Sequence, residues 1–190
     1  MNIAGIDYSL RGPAVCVFAG DYETEFCFSK CNFFFLTEVK KYVKSWNLNI
    51  HGESFQKYNE EFERYETIAD WAMDKVSGCD QIALEGYSFG SKGSRVFQIA
   101  ENTGMLKYKI YRAGIPLSVY PPSTIKKFAT DKGNANKNKM YESFARETDS
   151  RIQSLISPDK DNISNPVSDI VDSYYVCKYL HEQIMNNQRS

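Results

Sequence analysis

The sequence predicts an α/β fold: a mixed five-stranded sheet, an antiparallel meander continued by parallel strands, flanked by helices. Two observations lead there. Short apolar runs split by turn signals open the chain, and further along strand-length runs alternate with apolar residues at helical spacing. Strands first, then alternating helix and strand, then helices, is the order of a mixed sheet with helices packed on its faces.

Residues 2–6 (Asn-Ile-Ala-Gly-Ile) and 14–19 (Ala-Val-Cys-Val-Phe-Ala) read as buried strands around the turn Ser9-Leu10-Arg11-Gly12-Pro13. Residues 25–28 read as the third strand of the meander, after the turn at Gly20-Asp21. Phe33-Phe34-Phe35-Leu36 either extends the sheet or packs under a loop, and the following residues are polar and weakly periodic. The stretch from about 30 to 60 is therefore expected as an insertion or flexible excursion within a single domain spanning 1–190. Phe62, Tyr65, Ile68, Ala69, Ala72, Met73 and Val76 fall at helical spacing, with Gly78 as a stop before the strand Gln81-Ile82-Ala83-Leu84-Glu85. A glycine and serine loop, 86–94, precedes a helix over about 94–113. Residues 116–120 read as a short strand closed by Pro121-Pro122, and the polar loop 130–136 leads into a helix beginning near Lys137. Asn165-Pro166 supplies an N-cap and a first-turn proline for a last helix running to about Met185. No internal repeat or low-complexity tract interrupts the chain.

A chain of 190 residues suits one domain with a substantial core, and no run of about 18 apolar residues is present to span a membrane. The start Met-Asn-Ile-Ala-Gly-Ile-Asp lacks the basic and long apolar regions of a signal peptide, so a cytoplasmic location with reduced thiols is expected. Five cysteines without a C-x-x-C pair, and two histidines without a partner at ligand spacing, argue against zinc. Charge is segregated. Between Met105 and Met140 lie Lys107, Lys109, Arg112, Lys126, Lys127, Lys132, Lys137 and Lys139 against the single acid Asp131, in a chain whose net charge is −1. That local excess is the electrostatic footprint expected of a phosphate-binding surface, beside the plainer reading as a solvated face.

Four carboxylates carry the chemistry. Asp7 ends the first apolar run and Glu85 another, while Asp169 and Asp172 lie three apart in the last helical segment. Taken singly they are ordinary: a turn residue, a strand cap, a first-turn acid on a helix dipole. Asp172 resists that account, because Val167, Ile170, Val171, Tyr174, Tyr175, Val176, Cys177, Tyr179 and Leu180 make its helix apolar around most of its circumference. Buried acids at i and i+3 need compensating cations, and carboxylates on two strand ends and one helix face can converge on a divalent-metal site.

Gly5-Ile6-Asp7-Tyr8-Ser9, Leu84-Glu85-Gly86-Tyr87 and Ser168-Asp169-Ile170-Val171-Asp172-Ser173 resemble, in order and approximate spacing, the three catalytic segments of RuvC-type Holliday junction resolvases of the RNase H-like superfamily. The resemblance covers most of the chain outside 30–60. It departs at Tyr8, where the family has proline. It implies an RNase H-like fold in which Asp7, Glu85, Asp169 and Asp172 hold two Mg²⁺ ions, with Mn²⁺ able to substitute. It further implies that Lys126 and Lys137 lie near the scissile DNA, and that Tyr87 or Phe89, in the loop after Glu85, stacks on a base at the junction centre.

The expected activity is that of a Mg²⁺-dependent endodeoxyribonuclease acting on branched DNA, foremost four-way junctions, by two-metal hydrolysis with Lys137 in a catalytic role. Ser88, Ser91 and Lys92, with Lys126, Lys127, Lys132, Lys137 and Lys139, would grip phosphates. A two-fold symmetric junction that takes two opposed cuts calls for a symmetric homodimer. Val96, Phe97, Ala100, Gly104 and Tyr108 lie on or near one helical face and would serve either as that interface or as core. Three alternatives stand beside this reading: an RNase H-like nuclease acting on flaps or RNA:DNA hybrid, a non-catalytic branched-DNA-binding protein, and an actin-like ATPase or sugar kinase. The last shares Gly-Ile-Asp but needs two domains and glycine-rich phosphate loops.

Overall fold

The computed structural model describes residues 1–21, 23–47, 49–87 and 95–189, with Arg95 and Arg189 described by backbone alone. Seven strands, β1 (Asn2–Asp7), β2 (Ala14–Ala19), β3 (Cys31–Thr37), β4 (Ser45–Trp46), β5 (Ile50–Ser54), β6 (Gln81–Glu85) and β7 (Leu117–Tyr120), form one sheet in the order β4-β5-β3-β2-β1-β6-β7. The helices are α1 (Glu61–Val76), α2 (Arg95–Arg112), α3 (Pro122–Thr130), α4 (Lys137–Thr148), α5 (Ile152–Ile156) and α6 (Val167–Arg189). β1, β2 and β3 make the antiparallel meander, whereas β6 joins β1, β7 joins β6 and β5 joins β3 in parallel.

β1 is central and buried on both faces, which is why its sequence is almost wholly apolar. Its side chains alternate. Ile3 packs into the core beneath α3, α4, α5 and α6, and Ala4 and Ile6 pack into the second core beneath α1 and α2. Gly5 faces α6 so closely that a Cβ there would lie 2.1 Å from the backbone nitrogen of Cys177 and 2.6 Å from the carbonyl oxygen of Ser173. Only glycine permits that contact.

The sheet has seven strands rather than the expected five, and the additional pair is β4 and β5. Both come from the stretch expected as an insertion or excursion, which also contains β3. The third strand of the meander is Cys31–Thr37, not residues 25–28. Cys31, Phe33 and Phe35 point into the core beneath α6, and the unbroken aromatic run hides this two-residue period. In the segment before it, Phe26 stacks on Phe18 of β2 at 4.8 Å and packs on Tyr174 and His181 of α6, while Phe28 packs on Phe33 and on Phe144 of α4. Pro121-Pro122 closes β7 as expected but also starts α3, with Pro122 in its first turn, where a missing N–H costs nothing. The last helix begins at Val167, and the Asn165 side chain accepts from the Lys137 ammonium and the Ser168 hydroxyl.

Candidate active site

The two strands deliver their acids side by side. β1 and β6 run parallel in the register Ile6↔Leu84, and one step further each ends in its acid, Asp7 and Glu85. Ala83 shares the core beneath α6 with Ile3, so the two-residue period aims both carboxylates toward that helix. α6 lies antiparallel to β1: the Cys177 thiol reaches the Ile3 carbonyl at 3.7 Å, while Ser173 and Cys177 rest on Gly5. One turn earlier on that helical face stand Asp169 and Asp172, at the level where β1 ends.

The four acids act on one another. Burial, then Asp169, Asp172 and Glu85, push Asp7 well above the usual carboxylate range, with Lys137 opposing. Burial and then Asp172 raise Glu85 to about 7 against the pull of Lys126. Asp169 is raised to about 7 by burial; Lys137 lowers it, Asp172 raises it, and a hydrogen bond from Ser168 lowers it. Burial lifts Asp172 to about 6 against Lys137 and Lys126. Asp169 is only 5% exposed and its Oδ2 is buried without a hydrogen-bond partner. Beside that oxygen lies Gly12 of the β1–β2 turn, where a Cβ would come within 2.8 Å of it.

Hard oxygen donors, crowded and disfavoured as anions, suit a divalent cation chemically. The spacing is looser than that of a closed ligand set: among the described residues no three His, Cys, Asp or Glu side chains are grouped to hold one ion.

Lys137 opens α4 behind its N-cap Asn136, whose side chain accepts from Lys139 N at 3.0 Å. Its ammonium donates to Asn165 Oδ1 at 3.1 Å and to Ser168 Oγ at 3.0 Å, and the same Ser168 hydroxyl lies 3.1 Å from Asp169 Oδ1. Asn165 and Ser168, which sequence reading left without a role here, thus tie the lysine to the acids. Lys126, half-buried on α3, joins through its field on Glu85 and Asp172. Lys127, Lys132 and Lys139 are exposed and make no ion pair among the described residues.

Tyr87 is 44% exposed, with the Lys107 ammonium 5.0 Å from its ring centroid and its hydroxyl donating to the Ala100 carbonyl at 3.5 Å. Ser88, Phe89, Ser91 and Lys92 lie outside the described residues. On α2, Val96, Phe97, Gly104 and Tyr108 face solvent rather than core, and Ala100 is half-buried. No described helix is long and apolar enough to cross a membrane.

The fold is RNase H-like and shared with solved Holliday junction resolvases. Thermus thermophilus RuvC aligns with a TM-score of 0.62 over 98% of this chain and 97% of its own, at 16% identity. The structure of T. thermophilus RuvC in complex with Holliday junction substrate gives 0.64 over 97% of both chains at 15% identity. The yeast mitochondrial Holliday junction resolvase Ydc2 gives 0.57 over 98% of this chain and 80% of its own, at 11% identity. No family model and no curated protein matches the sequence. At these identities the likeness is one of fold.

Proposed function

We propose that this protein is a metal-dependent, structure-selective endodeoxyribonuclease that resolves four-way or other branched DNA by two-metal phosphodiester hydrolysis. The observation that carries the reading is the meeting of Asp7, Glu85, Asp169 and Asp172, from three elements, in one electrostatic unit with Lys126 and Lys137. Buried acids that hold one another above their ordinary pKa destabilise the fold, so their presence calls for a cation. The RuvC fold supports the assignment, and a RuvC structure with a Holliday junction substrate supports the DNA class.

Asp7, the acid that all three others act on, would hold the Mg²⁺ ions together with Glu85, Asp169 and Asp172. When bound, the ions supply charge stabilisation at the attacking and leaving oxygens of an in-line displacement, and Mn²⁺ would serve in the same role. Lys137, oriented by Asn165 and Ser168, offers its ammonium to charge developing on the scissile phosphate. Lys126 lowers the cost of gathering the acids, and exposed Lys127, Lys132 and Lys139 meet the backbone beyond. The exposed face of α2 with Phe97 and Tyr108 is suited to pairing two copies around a symmetric junction.

A substrate panel tests the reading. A synthetic four-way junction, a flap, an RNA:DNA hybrid and a linear duplex are incubated with the protein in Mg²⁺. Paired cuts in the junction are expected. Preference for hybrid or flap moves the protein to another RNase H-like activity, and tight junction binding without cleavage in Mg²⁺ or Mn²⁺ makes it a non-catalytic binder.

A further inference from the structure

The segment between β3 and β4 has chemistry of its own. Its 3-10 turn (Lys40–Tyr42) and the residues after it present Lys40, Lys41 and Lys44, all exposed, against one acid, Glu38. None of the three lysines forms an ion pair among the described residues. The ammonium groups of Lys41 and Lys44 stand over buried rings instead. Lys41 Nζ is 5.2 Å from the Tyr42 centroid and Lys44 Nζ 5.1 Å from that of Trp46, while Lys160 Nζ, from the segment between α5 and α6, is 5.7 Å from Tyr42. Tyr42 is fixed, 3% exposed, with its hydroxyl 2.9 Å from Ser157 Oγ. Burial opposes its ionisation, yet the Ser157 contact and the ammoniums of Lys160 and Lys41 bring its pKa below the ordinary phenol value.

This place adjoins the acids. Asp7 pairs in register with Ala14, and Ala14 with Phe35, so the chain leaves β3 at the end of the sheet where Asp7 ends β1. Lys160 bridges the remaining distance. Its ammonium donates to Ser164 Oγ at 2.8 Å and to the Asn165 carbonyl at 3.3 Å, and Asn165 Oδ1 accepts from Lys137 at 3.1 Å. Lys137 and Lys160 therefore share Asn165, and Lys160 and Lys41 share the Tyr42 ring, which links the three cations in series with the carboxylates. Asp159 and Asp161 flank Lys160 in sequence and pair with no described cation.

We propose that Lys41 and Lys160, over the Tyr42 ring, form a phosphate-binding track that runs from the carboxylates toward the β4–β5 edge and holds the backbone of one duplex arm of branched DNA. This rests on the nuclease reading above. Ammonium point charges on fixed rings suit phosphates and carry no base information, so the track would add affinity and orientation rather than sequence preference.

Binding across a salt series in EDTA, by fluorescence anisotropy, tests the track on a four-way junction and on a linear duplex. The variants are Lys41→Ala/Lys160→Ala and an equal-charge control, Lys30→Ala/Arg146→Ala, whose residues lie before β3 and in the last turn of α4, away from the carboxylates. Thermal melting establishes that all three proteins are folded alike. The track variant should lose about tenfold or more in affinity, and its salt slope should become shallower by about 2 on both DNAs, while the control keeps the wild-type slope. Equal slopes for the two double variants overturn the track. Wild type that binds but never cuts, with the slope difference intact, overturns the nuclease reading and leaves the track standing as a DNA-binding surface.

Discussion

Asp172 sits on a helix that is otherwise core, and its carboxyl is held up to about 6 by burial. The sign of the consequence follows from linkage. Asp172, Asp169 and Glu85 have folded pKa values above the ordinary carboxylate range near 4, so the folded state binds more protons than the unfolded between about pH 4 and 7. Their contribution to stability is full below that window and is lost as pH rises through it. Asp172→Asn should therefore melt above wild type by about 2–4 °C near neutral pH without metal, and the gap should close toward about pH 4. Melting curves in EDTA check this, and a gap that widens on acidification would contradict it. Asn165 and Ser168 make a second case at this scale. In sequence Asn165 reads as a helix cap, because Asn before a helix nearly always earns that reading from the chain alone; its partner Lys137 is 28 residues away. Asn165→Ala should slow single-turnover cleavage by about tenfold to a hundredfold with junction affinity little changed, since a misplaced ammonium loses the transition state first. Loss of affinity with the rate intact would assign Asn165 to binding instead.

Among the elements, α6 on β1 decides whether the acids meet. The contact depends on Gly5, whose missing side chain lets the helix backbone rest on the strand. Gly5→Ala should cost about 3 kcal/mol by forcing the two apart, and cleavage should fall further than stability does because Asp169 and Asp172 move away from Asp7. Chemical denaturation and single-turnover rates measure the two losses, and an unchanged stability would show that the contact yields freely. The sequence makes β1, β6, α1 and α6 legible, because apolar runs ending in acids mark the two strands and apolar residues at helical spacing mark the two helices. β3 is not legible in the same way. Phe33-Phe34-Phe35 has no polar alternation, since Phe34 packs against the second core on the opposite face, with His51 at 5.2 Å and the Lys75 ammonium at 5.3 Å. β4 and β5 extend the sheet with short, polar strands whose partners only the folded chain supplies.

For the molecule as a whole, the RNase H-like fold was readable from three motifs in order, whereas the basic line toward the β4–β5 edge was not, because Lys41, Lys137 and Lys160 are far apart in sequence and meet through Tyr42 and Asn165. Phe97, 71% exposed on α2, stands out on the face expected as an interface. Phe97→Glu should turn a dimer into a monomer in sedimentation velocity and replace paired cuts by single nicks, while an unchanged mass would move the interface elsewhere.

Whether Asp7, Glu85, Asp169 and Asp172 hold the ions that cut DNA is decided by single-turnover cleavage of a synthetic four-way junction across a Mg²⁺ titration, by wild type and by Asp172→Asn at matched folding and junction binding. Mg²⁺-dependent paired cuts by wild type are expected, with a rate lower by about a thousandfold or more in the variant, as loss of an ion ligand requires. Equal cleavage by the two proteins, or cleavage by wild type that persists without any divalent cation, would contradict that role.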